Sequence, residues 1–492
     1  MEPFQQQPVP VGVGAGARRI LANVGWRALS DVGSKLVTLL LYAVMARELG
    51  EASFGVFVFG LAFVMLVTTL ANFGQDGILT REVARDRDLL HRYFANTLAL
   101  KLAVALPALV LALAVAWAIG MSGETRLVIL FLGIATVVEA LIQTCFAAYQ
   151  AFEQLSLMPA VVITQRVVTT IPAILAMVFL EAGVVAVAAI YATGTLVAIV
   201  LALTLLVRRV ARPRLETDPR SWWSLMRVAA PLGLAGVFIT VLLRVDTAML
   251  AFFESDAVVG NYGAAYRLFE ASLLVGWSVT AAVYPVFSRL HRTTEPPVSL
   301  VYERALKLVL APTLPIAVGA ILFGGPLVHL VYGDGFDDAG SALAWLGPAV
   351  VLYPVAQISG ALLVAQNRQA ALAVVYGLVA LENVLANLVL IPAFSLQGAA
   401  AGASLSQALL VVPLLLLARQ SAGTIDARRV LAGPLLAAVV STVAMFLLRD
   451  SFGLAVAVGA VLFVAVVVAF ERRFYPDDAR ALTGFLRRRT IS

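Results

Sequence analysis

Cysteine occurs once in the 492 residues, as Cys145 within an apolar run, so no disulfide framework holds this chain together. Histidine is nearly as scarce. His91, His291 and His329 lie far apart, and no HExxH or CxxC spacing occurs, which argues against structural zinc and zinc catalysis. No nucleotide-binding motif appears, which argues against direct use of ATP. Charge is thin as well: Asp, Glu, Lys and Arg make up 13% of the chain, against roughly 25% in a soluble domain. The opening residues, MEPFQQQPVPVGVGAG, lack a basic segment followed by an apolar core. They read as a polar cytoplasmic tail rather than a cleavable signal, with the first span an uncleaved anchor.

What is abundant is apolar surface: 61% hydrophobic residues and a mean hydropathy of +0.94. This composition defines an all-α polytopic membrane protein. Runs long enough to cross a bilayer sit at 28–46, 54–75, 95–118, 126–149, 157–180, 183–207 and 229–253. They continue at 258–286, 304–331, 341–365, 369–391, 396–418, 430–448 and 452–470, fourteen in all.

The basic residues orient these spans. With the N-terminus inside, 26 of the 35 Lys and Arg fall in inner loops and tails. Only Arg47, Arg126 and Arg449 fall outside, and the remaining six lie within spans. That bias fits fourteen spans with both termini cytoplasmic, and one span more or fewer would scramble it. The pI of 9.6 therefore reflects inner loops rather than a nucleic-acid partner. No loop is long enough to hold a soluble domain.

An internal repeat divides the chain. EASFGVFVFG (Glu51–Gly60) aligns with DAVVGNYGAAY (Asp256–Tyr266) at an offset of 205, and EAGVVAVAA (Glu181–Ala189) with LQGAAAGAS (Leu396–Ser404) at 215. Six spans per repeat gives two halves of the same orientation, related by a pseudo-two-fold along the membrane normal. The expected organisation is a cytoplasmic tail (1–25), an N-terminal lobe (26–207) and a basic cytoplasmic linker (208–227). A C-terminal lobe (228–418), two extra helices (430–471) and a basic tail (472–492) follow. The extra helices have no charged interior and are expected to face lipid or a partner.

Charges inside spans are costly, about 2.5–3.5 kcal/mol each at a helix centre, so each needs a reason. In the first helix Arg27, just ahead of the apolar run, and Asp31 and Lys35 within it recur every four residues on one face, continued by Thr38 and Tyr42. Lys101 and Lys307 lie near the inner ends of their helices, where snorkelling accounts for them. Glu139 and Gln143, Arg166 beside Gln165 and Thr169, Arg267 with Glu270, and Glu382 with Asn383 and Asn387 complete the buried polar set. For these groups, hydrogen bonding within a lobe competes with substrate contact. The span at 229–253 carries Arg244 and Asp246 two residues apart, about 200° round the helix, so the two cannot share a partner. Arg244 is expected to face a cavity and Asp246 to brace the lobe.

RELGEASFGVFVFG (Arg47–Gly60) and NFGQDGILTREVAR (Asn72–Arg85) look like the start of a polysaccharide-unit flippase. So do LRVDTAMLAFFESDAVVGNYGAAYRLFE (Leu243–Glu270), YGDGFDDAGSALAWL (Tyr332–Leu346) and ENVLANLVLIPAFSLQGAAAGASL (Glu382–Leu405). Across residues 20–420 the chain resembles the lipid-linked oligosaccharide (O-antigen type) translocases of the multidrug/oligosaccharidyl-lipid/polysaccharide (MOP) exporter superfamily. The resemblance implies two six-helix lobes in a V-shaped, MATE-like arrangement around a central cavity. It implies a secondary transporter, not an enzyme, with no cofactor and an ion gradient or membrane potential as driving force. The substrate implied is an undecaprenyl-diphosphate-linked oligosaccharide, moved across a bacterial cytoplasmic membrane for capsule, exopolysaccharide or O-antigen export. Partners would be membrane lipids, a polysaccharide polymerase and chain-length machinery. Arg27, Lys35, Arg244 and Arg267 are the candidates for holding the diphosphate. Asp31, Glu139, Asp246 and Glu270 are the candidates for ion coupling or lobe bracing. A lipid II flippase and a MATE-type multidrug or cation antiporter share the fold. A membrane polymerase would need a large outer loop with catalytic Arg or His, and none is present.

Overall fold

The computed structural model describes residues 13–214, 216–290 and 297–476, with side chains from Gly33 onward except at 221 and 232. Arg27 and Asp31 therefore lie outside the described side chains. The described residues are helical, with no strand among them. The helices are α1 (Val13–Thr68), α2 (Gln75–Arg85), α3 (Leu90–Ala118), α4 (Gly123–Ala151), α5 (Leu157–Leu180) and α6 (Val184–Leu205). They continue as α7 (Pro219–Phe253), α8 (Asp256–Leu290), α9 (Val298–Tyr332), α10 (Ala339–Ala365), α11 (Gln369–Ala422), α12 (Ala427–Leu447) and α13 (Phe452–Phe474).

Two of these are helical hairpins. A straight α11 of 54 residues would run about 80 Å, far beyond the ~30 Å hydrocarbon core of a bilayer. It reverses at Ser395, whose φ of 55° puts it in the left-handed region, and Asn383 donates to Ser406 at 3.0 Å across the hairpin. In α1 the break is Gly50, at φ 75°, where the absence of Cβ makes the conformation cheap. The Tyr42 and Phe57 rings then meet at 6.2 Å, which no continuous helix allows. Among the described residues twelve segments are long and apolar enough to span, and two of them are the hairpins, each long enough to cross twice. The fourteen crossings expected from hydropathy are thus present.

The helices share one apolar core at one end, and toward the other the core divides in two. α7 nevertheless still meets the turn before α2, where a Cβ on Gly233 would overlap the Phe73 carbonyl and Thr69 donates to Thr240 at 3.1 Å. Around Tyr42, Phe57, Val128, Tyr191, Tyr262, Tyr332 and Leu346 one continuous apolar cluster joins residues 41–192 to residues 250–403. This is the arginine-poor end of the bundle. Toward the arginine-rich end the packing divides into two clusters, one from Leu79 to Leu206 and one from Leu242 to Val430. The joint at the shared end is close: Gly55 and Gly260 lie so near that a Cβ on either would overlap a backbone carbonyl of the other helix. The Glu51 carboxylate accepts from Asn261 at 2.5 Å, and the Asn261 carbonyl accepts from the Ala339 N–H at 3.1 Å. Arg47 reaches the last turn of α9, donating to the Leu330 and Val331 carbonyls at 2.7 and 3.0 Å.

α7 begins at Pro219, inside the 208–227 connection, because Asp218 caps it and proline suits the first helical position. Asn96 of α3 pins this connection. Its side chain donates to the Glu216 carbonyl and accepts from the Asp218 N–H and the Trp222 indole.

Two expectations are corrected. Lys101 and Lys307 do not snorkel. Lys101 is fully buried, 2.7 Å from the Asp76 carboxylate of α2 and 2.8 Å from the Ala140 carbonyl. Lys307 is buried 2.8 Å from Glu471 and lies over the Tyr475 ring. An acid supplied by another element removes the need to reach water. The last helix accordingly does carry a buried charge, and α12 and α13 dock on α9 rather than facing lipid alone.

Candidate functional site

Where the shared core ends, charged side chains from both sides of the division converge. On α8, Arg267 and Glu270 are one turn apart, and their ion pair closes to 2.5 Å. The other Glu270 oxygen takes Arg244 of α7 at 2.8 Å, so one carboxylate serves two guanidiniums. Both partners remain partly open, Arg244 at 13% and Glu270 at 18% side-chain exposure. Arg267 also stacks over Tyr42 of α1 at 4.6 Å, while its Nε has no partner.

Lys35 of α1 has Glu270, Arg166, Arg267 and Arg244 as electrostatic neighbours, and its ammonium sits over the Trp277 ring at 4.7 Å. Arg166 of α5 donates to Ser34 at 2.9 Å and has Tyr191 and Glu139 beside it. Among the described residues, four cations (Lys35, Arg166, Arg244 and Arg267) thus meet two acids, Glu270 and Glu139, and the surplus is positive. Such a site suits a compact polyanion, for which guanidiniums supply paired donors.

Asp246, on the other side of α7, belongs elsewhere. It is 1% exposed, accepts from Asn387 at 2.5 Å and lies 3.4 Å from the Tyr262 hydroxyl. The chain of contacts continues from Asn387 to Asn383, Ser406 and Glu382 across the α11 hairpin. No ion pair among the described residues includes Asp246. The 200° separation therefore resolves into two different neighbourhoods, one rich in cations and one of amides and hydroxyls that leads to the Glu382 carboxylate.

Of the residues singled out in the sequence, the structure brings Lys35, Arg244, Arg267 and Glu270 together, with Glu139 near Arg166. It sets Asp246 apart. Sequence reasoning missed Trp277 and Tyr353, and left Arg166 outside the substrate-binding set. A signal for Trp277 exists in hindsight: Glu270, Trp277 and Tyr284 recur every seven residues, which places them on one face of α8.

The architecture is that of a MOP-type transporter. It superposes on the lipid II flippase MurJ in an inward closed conformation with a TM-score of 0.76, at 13% identity, covering 90% of this chain and 98% of that one. An inward-facing multidrug resistance MATE family transporter of the MOP superfamily matches at 0.64, with 14% identity over 79% of this chain and 94% of that one. A curated relative, the probable low-salt glycan biosynthesis flippase Agl15 of Haloferax volcanii, is 23% identical over 371 residues, 73% of this chain and 75% of that protein. Residues 20–291, more than half of the chain, match the family described as Polysaccharide biosynthesis protein. The chain belongs to that family, is a multi-pass membrane protein, and shares the fold of these flippases and transporters.

Proposed function

We propose that this protein flips undecaprenyl-diphosphate-linked oligosaccharide repeat units from the inner to the outer leaflet of a bacterial cytoplasmic membrane, for capsule, exopolysaccharide or O-antigen export. One observation carries the reading: the surplus of cations around Glu270, drawn from α1, α5, α7 and α8, at the level where the two apolar clusters part. A diphosphate esterified by lipid at one end and sugar at the other presents about two negative charges on a small head. It would take over the guanidinium contacts that Glu270 now holds.

Alternating access follows from the same layout. The arginine bias supports cytoplasmic termini and an inner side at the end where the core divides. The Gly55–Gly260 joint would then close the outer side, and the Phe73–Gly233 contact would have to open on the inner one. The N-terminal lobe (26–207) and the C-terminal lobe (228–418) would rock about the pinned connection at Asn96. Transport draws on an ion gradient or the membrane potential. Glu139 and Asp246 are the described acids to carry the coupling ion, and Asp31 is a third candidate. The protein would move its substrate without altering it, and hand it to a polysaccharide polymerase with its chain-length machinery. A multidrug cation antiporter would want the opposite sign of charge in its cavity.

The test is reconstitution in vesicles with a fluorescent undecaprenyl-diphosphate-linked oligosaccharide and a membrane-impermeant quencher. Wild type under an ion gradient should make the label accessible, and Arg244→Ala should not, although it inserts. Failure of wild type to move this lipid while moving lipid II would replace the glycan-unit reading with the lipid II one.

A further inference from the structure

Trp277 of α8 stands beside the charged cluster, two turns beyond Glu270. The residue is 38% exposed. The Lys35 ammonium of α1 covers one face of its ring at 4.7 Å, and Tyr353 of α10 lies beside the indole. An ammonium with Glu270 and three arginines for neighbours belongs to the interior of the transporter, and the ring beneath it does too.

The surroundings of the ring are polar and unsatisfied. Thr280 lies one turn further along the same face of α8, and its hydroxyl has no hydrogen-bond partner. The Gln357 carbonyl oxygen also lacks one. Gln357 is pressed against α8 at Gly276, the residue before the tryptophan, where a Cβ would lie 2.6 Å from that oxygen. Buried acceptors without donors are costly unless a ligand completes them. An aromatic face flanked by free hydroxyl and amide groups matches a sugar ring, which offers C–H groups on its faces and hydroxyls round its edge.

We propose that Trp277 is the sugar-contacting residue of the transport path, a reading that rests on the lipid-linked glycan proposed above. In this structure Lys35 occupies the ring face. When a lipid diphosphate enters the cation cluster, Lys35 leaves the ring for the phosphate, which attracts an ammonium more strongly than a π-face does. The vacated face receives the first sugar, with Thr280 and Gln357 bonding its hydroxyls. Diphosphate and sugar are thereby read by adjacent groups, and Lys35 links the two events.

The experiment compares binding of undecaprenyl diphosphate and of undecaprenyl-diphosphate-linked oligosaccharide to the purified full chain, by native mass spectrometry in detergent. Wild type should prefer the glycosylated lipid by about tenfold. Trp277→Leu should abolish that preference and leave the affinity for the bare diphosphate within about twofold, and Trp277→Phe should restore part of it. Lys35→Gln should weaken both lipids. A Trp277→Leu protein that keeps the preference, with unchanged thermal stability, overturns the sugar contact; so does a Trp277→Phe protein without it, should the leucine variant not fold. Wild type binding the two lipids equally overturns it too, while leaving the flippase reading intact. Wild type binding neither lipid removes the flippase reading itself.

Discussion

Gly55 and Gly260 pack backbone to backbone, each against the carbonyl one turn before the other: Gly55 against Asp256, Gly260 against Glu51. Both pairs of positions, 51 with 256 and 55 with 260, are separated by the repeat offset of 205. Repeat-related segments thus meet each other reciprocally, as a pseudo-two-fold requires. The contact needs glycine on both sides, since it brings two helix backbones closer than any side chain permits.

The first prediction tests that contact. Gly55→Ala and Gly260→Ala should each lower stability by about 1–3 kcal/mol, as overpacking does. Gly236→Ala in α7, where a Cβ meets nothing within 4 Å, should be neutral or slightly stabilising. Thermal unfolding in detergent, followed by a size-exclusion readout of folded protein, separates the two classes. Equal behaviour of all three variants would contradict the close crossing.

A second prediction concerns Glu270. Replacing it by Gln leaves Arg244 and Arg267 facing each other without their shared acid, so the amount of folded protein should fall, by a free energy of about 3–5 kcal/mol. Arg244→Ala removes only one of the two cations and should leave the fold standing. Adding Arg244→Ala to Glu270→Gln should recover part of the lost stability, because the pair acts as a unit. Strict additivity in this cycle would show that the 2.8 Å contact carries little energy.

The crossings and the opposed faces of Arg244 and Asp246 were legible because they depend on local pattern: twenty apolar residues per bilayer, 100° per residue round a helix. The partners were not. Lys101 and Lys307 read as snorkelling residues because distance from the span end was the only local clue. Their acids, Asp76 and Glu471, stand 25 and 164 residues away, and Glu471 lies just past the run at 452–470. Trp277 was missed for a similar reason. Aromatic residues are ordinary in membrane helices, and what distinguishes this one is Lys35 of a helix more than two hundred residues earlier.

The buried pair in α3 and α2 gives a third prediction. Lys101→Met strands the Asp76 carboxylate, and Asp76→Asn strands the Lys101 ammonium beside the Ala140 carbonyl. Asp76→Asn should cost about 3–5 kcal/mol. Lys101→Met should cost less, because the Asp76 carboxylate is 28% exposed and keeps its hydrogen bond from Thr144. The double variant Lys101→Met with Asp76→Leu should cost far less than their sum, because no uncompensated charge remains. Unfolding midpoints of the four proteins in the cycle measure the difference. A double variant as unstable as the sum would mean that Lys101 and Asp76 act separately.

Asp246 supplies the fourth. Its carboxylate accepts from Asn387 on one oxygen and faces the Tyr262 hydroxyl with the other, tying α7 to α8 and α11. Alanine removes both acceptors and leaves an amide and a hydroxyl unsatisfied in the interior, which costs about 1–3 kcal/mol for each group. Asparagine can still accept from Asn387 through its carbonyl and donate to the Tyr262 oxygen through its amide. The stability order should therefore be wild type, then Asp246→Asn, then Asp246→Ala, read from melting in detergent. Transport by the asparagine variant decides what else the residue does. Retained dependence on the ion gradient leaves Asp246 as a brace, whereas a stable variant that transports without responding to the gradient makes its carboxylate the coupling group.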